Sequence, residues 1–186
     1  MAAVVEAIGG PVFLLGHSYG ARCSLEAALL TSRIDRLILY EPPIPTIAPS
    51  VPADMPDRIQ MLVENGALEA ALELFFREVA GMPEGELAIL RRMPMWAGRI
   101  QMAPTIAREL AVDRPHAFEP ARFSGLRVPL LLLLGGNSPP LYSRATEEIY
   151  SVLPDSRIVV LPGQGHVAMD TGPESFVEAV LSFLLE

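Results

Sequence analysis

The sequence predicts an α/β domain built on a short, mostly parallel sheet. Val12-Phe13-Leu14-Leu15 and Leu37-Ile38-Leu39-Tyr40 are continuous apolar runs, the pattern of strands buried on both faces. Ala21 to Leu30 lies between them and turns helical, so the opening reads strand, helix, strand with a right-handed crossover. The alternation returns late in the chain, with strands at Val128 to Leu134 and Ile158 to Leu161 and helices at Ser143 to Leu153 and Glu174 to Leu185.

Each element has a local cause. Small Ala21, Ala27 and Ala28 let the first of these helices pack closely, and Thr31 and Ser32 end it. Glu41-Pro42-Pro43 stops the second strand, because proline has no N–H to give to a ladder. Pro173 stands near the start of the closing helix. From Ile44 to about Gly125 the texture changes. Pro45, Pro49, Pro52 and Pro56 read as an extended linker, and Arg58 to Val79 carries helical periodicity through Ile59, Leu62, Val63, Leu68, Ala71, Leu72, Phe75 and Phe76. Two or three shorter helices are expected around Glu84 to Met93 and Met95 to Ala111, and no strand. The expected division is a core formed by residues 1–44 and 126–186, interrupted by a helical insertion at 45–125.

The chain has 186 residues, 51% of them apolar, enough for one domain with a sizeable core. Its formal net charge of -8, with no basic stripe, argues against nucleic acid and anionic membranes as partners. The single cysteine, Cys23, allows no intrachain disulfide and no cysteine-based metal cluster; it reads as a small buried hydrophobe. Met1 to Gly9 lacks the pattern of a secretory leader, and the longest apolar run, Val128 to Leu134, is too short to span a bilayer. A cytoplasmic location is the expectation.

The chemistry is announced at Gly16-His17-Ser18-Tyr19-Gly20, a G-x-S-x-G pentad with a strand before it and a helix after it. A serine hydroxyl is a weak nucleophile until a base takes its proton. In this turn the two glycines let strand and helix approach, and the turn holds the serine clear of the sheet. Ser18 is therefore the candidate nucleophile, and the backbone N–H of Tyr19 a candidate oxyanion donor. Of the three histidines, His17 lies inside the turn and is expected to point away from the reacting carbonyl, and His116 reads as loop surface. His166 lies in Pro162-Gly163-Gln164-Gly165-His166, directly after a strand, at the carboxyl edge where parallel sheets place their sites; it is the candidate base. For the acid, Glu41 closes a strand at the same edge and completes the order Ser, Glu, His. Asp170, or a dyad with Asn137 as a neutral orienter, are the alternatives. No metal and no organic cofactor is implied.

These residues resemble the α/β-hydrolase family, specifically its cap-bearing serine hydrolases. The likeness rests on Phe13 to Gly20, on Leu39-Tyr40-Glu41-Pro42-Pro43, on the glycine loop after Leu134, and on Pro162 to His166, and it covers nearly the whole chain. It implies that Ser18 follows the fifth strand of the family's sheet, and that Ile44 to Gly125 is a cap between strands six and seven. Some members carry their acid after strand six, where Glu41 falls. The expected fold is thus a truncated α/β-hydrolase with about four strands. Two departures stand out. Strands one to four, with the loop that supplies one oxyanion amide, have no counterpart here, and loss of one such donor typically costs ~10²–10³ in rate. The usual acid position holds Asn137 or Ser138.

The resemblance implies a serine hydrolase cleaving carboxylic esters of small or medium acyl chain, with a small-molecule ester as partner. A serine nucleophile weighs against the dehalogenase and epoxide hydrolase relatives, which use aspartate there. The competing readings are a weakly active or inactive remnant, and a half-enzyme completed by another chain. Met61, Leu62, Leu72, Phe75, Phe76, Met93, Met95, Trp96 and Met102 are enough to line an acyl pocket, with Trp96 the first to probe; ordinary packing of cap on core is the better explanation for most of them. The strand at Val12 to Leu15 should be an outer strand with an uncovered edge, so a homodimer through that edge is expected.

Overall fold

The computed structural model describes residues 1–44, 51–113, 118–153 and 155–186. They form two compact units, Met1–Ile47 with Phe118–Glu186, and Ala48–Ala117. His116 and the linker prolines Pro45 and Pro49 lie outside the described residues.

The first unit opens with α1 (Ala2–Ile8), β1 (Val12–His17), α2 (Tyr19–Ala28) and β2 (Ile34–Tyr40). The helical unit holds α3 (Met55–Glu64), α4 (Leu68–Glu78), α5 (Glu84–Leu90), α6 (Trp96–Met102) and α7 (Ile106–Asp113). The first unit resumes with β3 (Leu130–Gly135), α8 (Pro140–Val152), β4 (Ser156–Leu161), α9 (Ala168–Thr171) and α10 (Pro173–Leu184).

The four strands form one sheet in the order β1-β2-β3-β4, and every pairing is parallel. The two inner strands explain their unbroken apolar runs. Leu37 and Leu39 of β2 and Leu130 and Leu132 of β3 face a core filled by Ala21, Leu25 and Ala28 of α2 and Ala145 and Ile149 of α8. The alternate residues Ile38, Tyr40, Leu131 and Leu133 face α9 and α10 through Ala168, Phe176 and Phe183. Each leucine buried this way contributes about 2 kcal/mol.

Register places the working edge. His17 lies opposite Tyr40, Tyr40 opposite Leu133, and Gly135 opposite Leu161, so β1, β2, β3 and β4 all end at one rim. The residues that follow, Ser18 and Glu41, and the loop leading to His166, emerge side by side.

Several boundaries differ from the sequence reading. The periodic stretch from Arg58 to Val79 is two helices, because Gly66 takes a φ of 73° and turns the chain between α3 and α4. The stretch from Met95 to Ala111 divides into α6 and α7 around a 3-10 turn, Ala103–Thr105, that contains Pro104. Within the helical unit, α3 packs on α4 and α7. Trp96 is buried there, stacked on Phe76 at 6.1 Å, and its Nε1 donates to Glu69 Oε1 at 2.7 Å. It packs within that unit, as the packing explanation of this apolar set expects. Cys23 is half-buried, not sealed in the core as expected.

Candidate active site

The turn between β1 and α2 is built by close approach. A Cβ on Gly16 would meet Ser24 Oγ at 2.5 Å, Ala21 Cα at 2.6 Å and the Gly20 carbonyl at 2.6 Å, so only glycine fits there. A Cβ on Gly20 would meet nothing within 4 Å. The expectation that both glycines permit the approach is corrected: Gly16 alone does so. Ser18 sits at the head of the turn with φ 53° and ψ -127°. Its N–H donates to the Tyr40 carbonyl at 2.9 Å, which ties the turn to the end of β2. Its own carbonyl accepts the N–H groups of Ala21 and Arg22, so α2 starts immediately behind it. Tyr19 is the first residue of α2, and its amide lies at the positive end of that helix.

Glu41 is the second strained residue. Among the described residues only Ser18 and Glu41 combine a side chain with positive φ, 53° and 48°. Such conformations cost of order 1–3 kcal/mol each and persist where surrounding structure enforces them. The Glu41 N–H bonds to the Leu133 carbonyl at 3.2 Å, so the bend is enforced from β3. The carboxylate is fully buried. Its Oε1 accepts the Gly135 N–H at 2.6 Å, and its Oε2 lies 2.5 Å from Nδ1 of His166. Burial pushes the Glu41 pKa up to about 7, against the Ser138 hydroxyl, the Gly135 amide and the charge of His17, which pull it down. Ser138 Oγ is itself buried and near the carboxylate, without a hydrogen bond of regular geometry.

His166 is buried, 3% exposed, and its loop is held from several sides. His17 Nε2 donates to the His166 carbonyl at 2.7 Å, which fixes the proton of His17 on that nitrogen. The Tyr40 hydroxyl donates to the Gly165 carbonyl and accepts the Ala168 N–H at 3.1 Å. Asn137 Nδ2 donates to the Gly163 carbonyl at 3.1 Å, and its N–H to the Gln164 carbonyl at 2.8 Å. Asn137 thus supports the loop backbone, and the group at Nδ1 is Glu41 rather than Asn137 or Asp170. A Cβ on Gly135 would strike Gly165 and Gln164 carbonyls at 2.6 and 2.7 Å, so the two loops also need glycine to meet.

The structure therefore brings Glu41 and His166 into direct contact, and sets Ser18 one residue from a histidine whose ring lies 4.6 Å from that of His166. Tyr40, His17 and Tyr142 are site residues that sequence reasoning missed. Tyr142 stacks on His166 at 4.2 Å, with its hydroxyl 3.2 Å from Nε2. Among the described residues no group of three His, Cys, Asp or Glu side chains could hold a metal ion, and no helix is long and apolar enough to cross a membrane.

The fold that carries this serine, imidazole and carboxylate is shared with known proteins. Over 94% of its length the chain is 28% identical to the mouse (Mus musculus) protein sn-1-specific diacylglycerol lipase ABHD11, and spans 59% of that protein. A solved α/β hydrolase from Sphaerobacter thermophilus DSM 20745 superimposes with a TM-score of 0.83 at 32% identity, over 98% of this chain and 71% of that one. A bromoperoxidase from Bacillus anthracis shares the fold, with a TM-score of 0.75 at 20% identity over 98% of this chain and 71% of its own. The pattern of the alpha/beta hydrolase family matches residues 1–179, and with the four-stranded parallel sheet and its flanking helices it shows that this chain belongs to that family.

Proposed function

We propose that the chain is a serine hydrolase that cleaves carboxylic esters of small or medium acyl chain. The observation that carries this reading is the buried pair of His166 Nδ1 and Glu41 Oε2 at 2.5 Å, beside the strained turn that presents Ser18. A carboxylate on Nδ1 holds that proton there and leaves proton exchange to Nε2. His166 Nε2 takes the Ser18 proton as Oγ attacks the ester carbonyl. The oxyanion forms near the amide of Tyr19, at the start of α2. Collapse expels the alcohol, which receives the proton from His166, and leaves an acyl group on Ser18. Water, deprotonated by the same nitrogen, then releases the acid. The mouse relative, a diacylglycerol lipase, supports esters as the substrate class.

A fluorophosphonate probe and p-nitrophenyl acetate test the reading. The chain should be labelled at Ser18 and should turn over the ester, and Ser18→Ala should abolish both. Labelling without turnover would favour a half-enzyme that needs another polypeptide. No labelling would overturn the assignment.

A further inference from the structure

The loop between β3 and α8 stands where the family resemblance puts the acid, yet it serves the acid–base pair in another way. Gly135 gives its N–H to Glu41, Ser138 lies against the same carboxylate, and Tyr142 lies on His166. Tyr142 belongs to the first turn of α8 and is 2% exposed, with its N–H bonded to the Pro139 carbonyl at 3.0 Å. Its ring plane is within 16° of the imidazole plane, with the centroids 4.2 Å apart. Nearly parallel planes put the hydroxyl, 3.2 Å from Nε2, over the face of the imidazole. That is off the in-plane direction along which Nε2 exchanges a proton. The contact is a ring stack, and it does not compete for the lone pair.

A stack of this kind is selective for charge. An aromatic face carries the negative side of its quadrupole, so it attracts a cation above it far more than a neutral ring. The attraction grows where water is excluded, and both rings are buried. In the hydrolase reading, His166 is neutral at rest and becomes an imidazolium as Ser18 loses its proton. An interaction that strengthens along that path lowers the barrier itself.

We propose that Tyr142 is a positioning residue of the acid–base pair: its ring face holds the imidazole plane and stabilises the imidazolium formed when Ser18 gives up its proton. The proposal rests on the reading of Ser18 as nucleophile and His166 as base. Among the described residues, the groups facing His166 include Glu41 at Nδ1, the His17 ring at 4.6 Å, the Tyr40 ring at 6.3 Å and Tyr142. Glu41 and His17 titrate too, so the test must alter Tyr142 alone and without changing its shape.

Replacing Tyr142 by phenylalanine, and then by phenylalanines with progressively fluorinated rings, keeps the shape while draining the negative face. The readout is the rate of Ser18 labelling by fluorophosphonate against pH. Tyr142→Phe sets the reference rate, and the fluorinated series should fall stepwise below it by about tenfold overall. The acid limb of the profile should move to lower pH along the series, because a less stabilised imidazolium loses its proton more easily. A wild-type chain that labels normally, with a series that is flat in rate and limb, overturns the role of Tyr142 alone. So does a Tyr142→Phe variant that already shows the full loss, since the hydroxyl would then be responsible. A wild-type chain that does not label overturns the hydrolase reading, and this proposal with it.

Discussion

His166 Nδ1 lies 2.5 Å from Glu41 Oε2, and the other carboxylate oxygen accepts the Gly135 amide at 2.6 Å, so both oxygens of a fully buried acid are engaged. The pair fixes the tautomer of His166. Glu41→Gln keeps the shape and can keep the bond from Gly135, but its amide then presents N–H to Nδ1. The imidazole must answer with a lone pair at Nδ1 and carry its proton on Nε2, where it cannot accept one from Ser18. The expected loss in ester turnover is of order 10⁴, with an unchanged fold by circular dichroism. A Glu41→Gln variant with wild-type turnover would remove Glu41 from the reaction.

The same burial sets a pH dependence of stability. Glu41 is held near 7 in the folded chain, against 4.5 as its ordinary value. Below about 4.5 the group is protonated in both states and contributes nothing. Between there and about 7 the unfolded chain ionises first, so the folded state binds more protons and stability falls as pH rises; above about 7 the loss is complete. The full penalty is of order 3 kcal/mol. Urea unfolding of wild type and Glu41→Gln should therefore diverge across this window, with the glutamine variant the flatter. Parallel curves would show that burial does not hold the proton on Glu41.

Ser18 stores strain that its hydroxyl does not require. At φ 53° and ψ -127° a glycine is at ease and a side chain is not. Ser18→Gly should be inactive and yet more stable than Ser18→Ala by about 1–3 kcal/mol, less some unfolded-state entropy. Equal midpoints for the two variants would mean that the turn relaxes around the alanine.

What the sequence made legible, and what it did not, divides by range. The turn that presents Ser18 is local, since strand, turn and helix are contiguous from Val12 to Ala28, and it could be read without the rest of the chain. Glu41 and His166 were legible as residues that end strands at one rim, because parallel strands all point one way. Tyr40 and Tyr142 were not. Each acts across more than 20 residues of chain, on Gly165 and His166 respectively, and looks like an ordinary buried aromatic in its own element. The start of β2 was hidden by Asp35 and Arg36, polar residues inside a strand. Arg36 is accommodated because its guanidinium lies over the Phe183 ring at 5.2 Å.

The two glycines of the G-x-S-x-G pentad give a paired test of that local reading. Gly16→Ala forces a Cβ into contacts of 2.5 to 2.6 Å, two of them with backbone that cannot give way as a side chain can. It should lose several kcal/mol, on the scale of severe overpacking, and Ser18 labelling with it. Gly20→Ala meets open space inside α2 and should keep the fold or stabilise it by about 0.4–1 kcal/mol. Thermal melts of the pair decide it, and similar midpoints would refute the assignment of the close approach to Gly16.

The outer strand carries the last prediction. β1 is at one end of the sheet order and pairs with β2 alone, so its other edge presents amides and carbonyls to no strand among the described residues. Phe13 and Leu15 point to one face of it and are 56% and 39% exposed. In register they sit beside Arg36 and Ile38, on the side that α10 covers over the inner strands and leaves open here. α1 adds Val4 and Ile8, each 63% exposed. No charged side chain or internal proline blunts this strand: from Val12 to His17 it reads Val-Phe-Leu-Leu-Gly-His. A second copy laid against it about a two-fold axis would pair the free edge with itself and shelter the exposed phenylalanine and leucine of both chains. Sedimentation at micromolar concentration should therefore show a dimer. Phe13→Ser combined with Leu15→Ser should weaken it at least about tenfold, since it removes apolar area worth roughly 2 kcal/mol or more. A folded wild-type chain that sediments as a monomer up to the highest soluble concentration would rule self-pairing out.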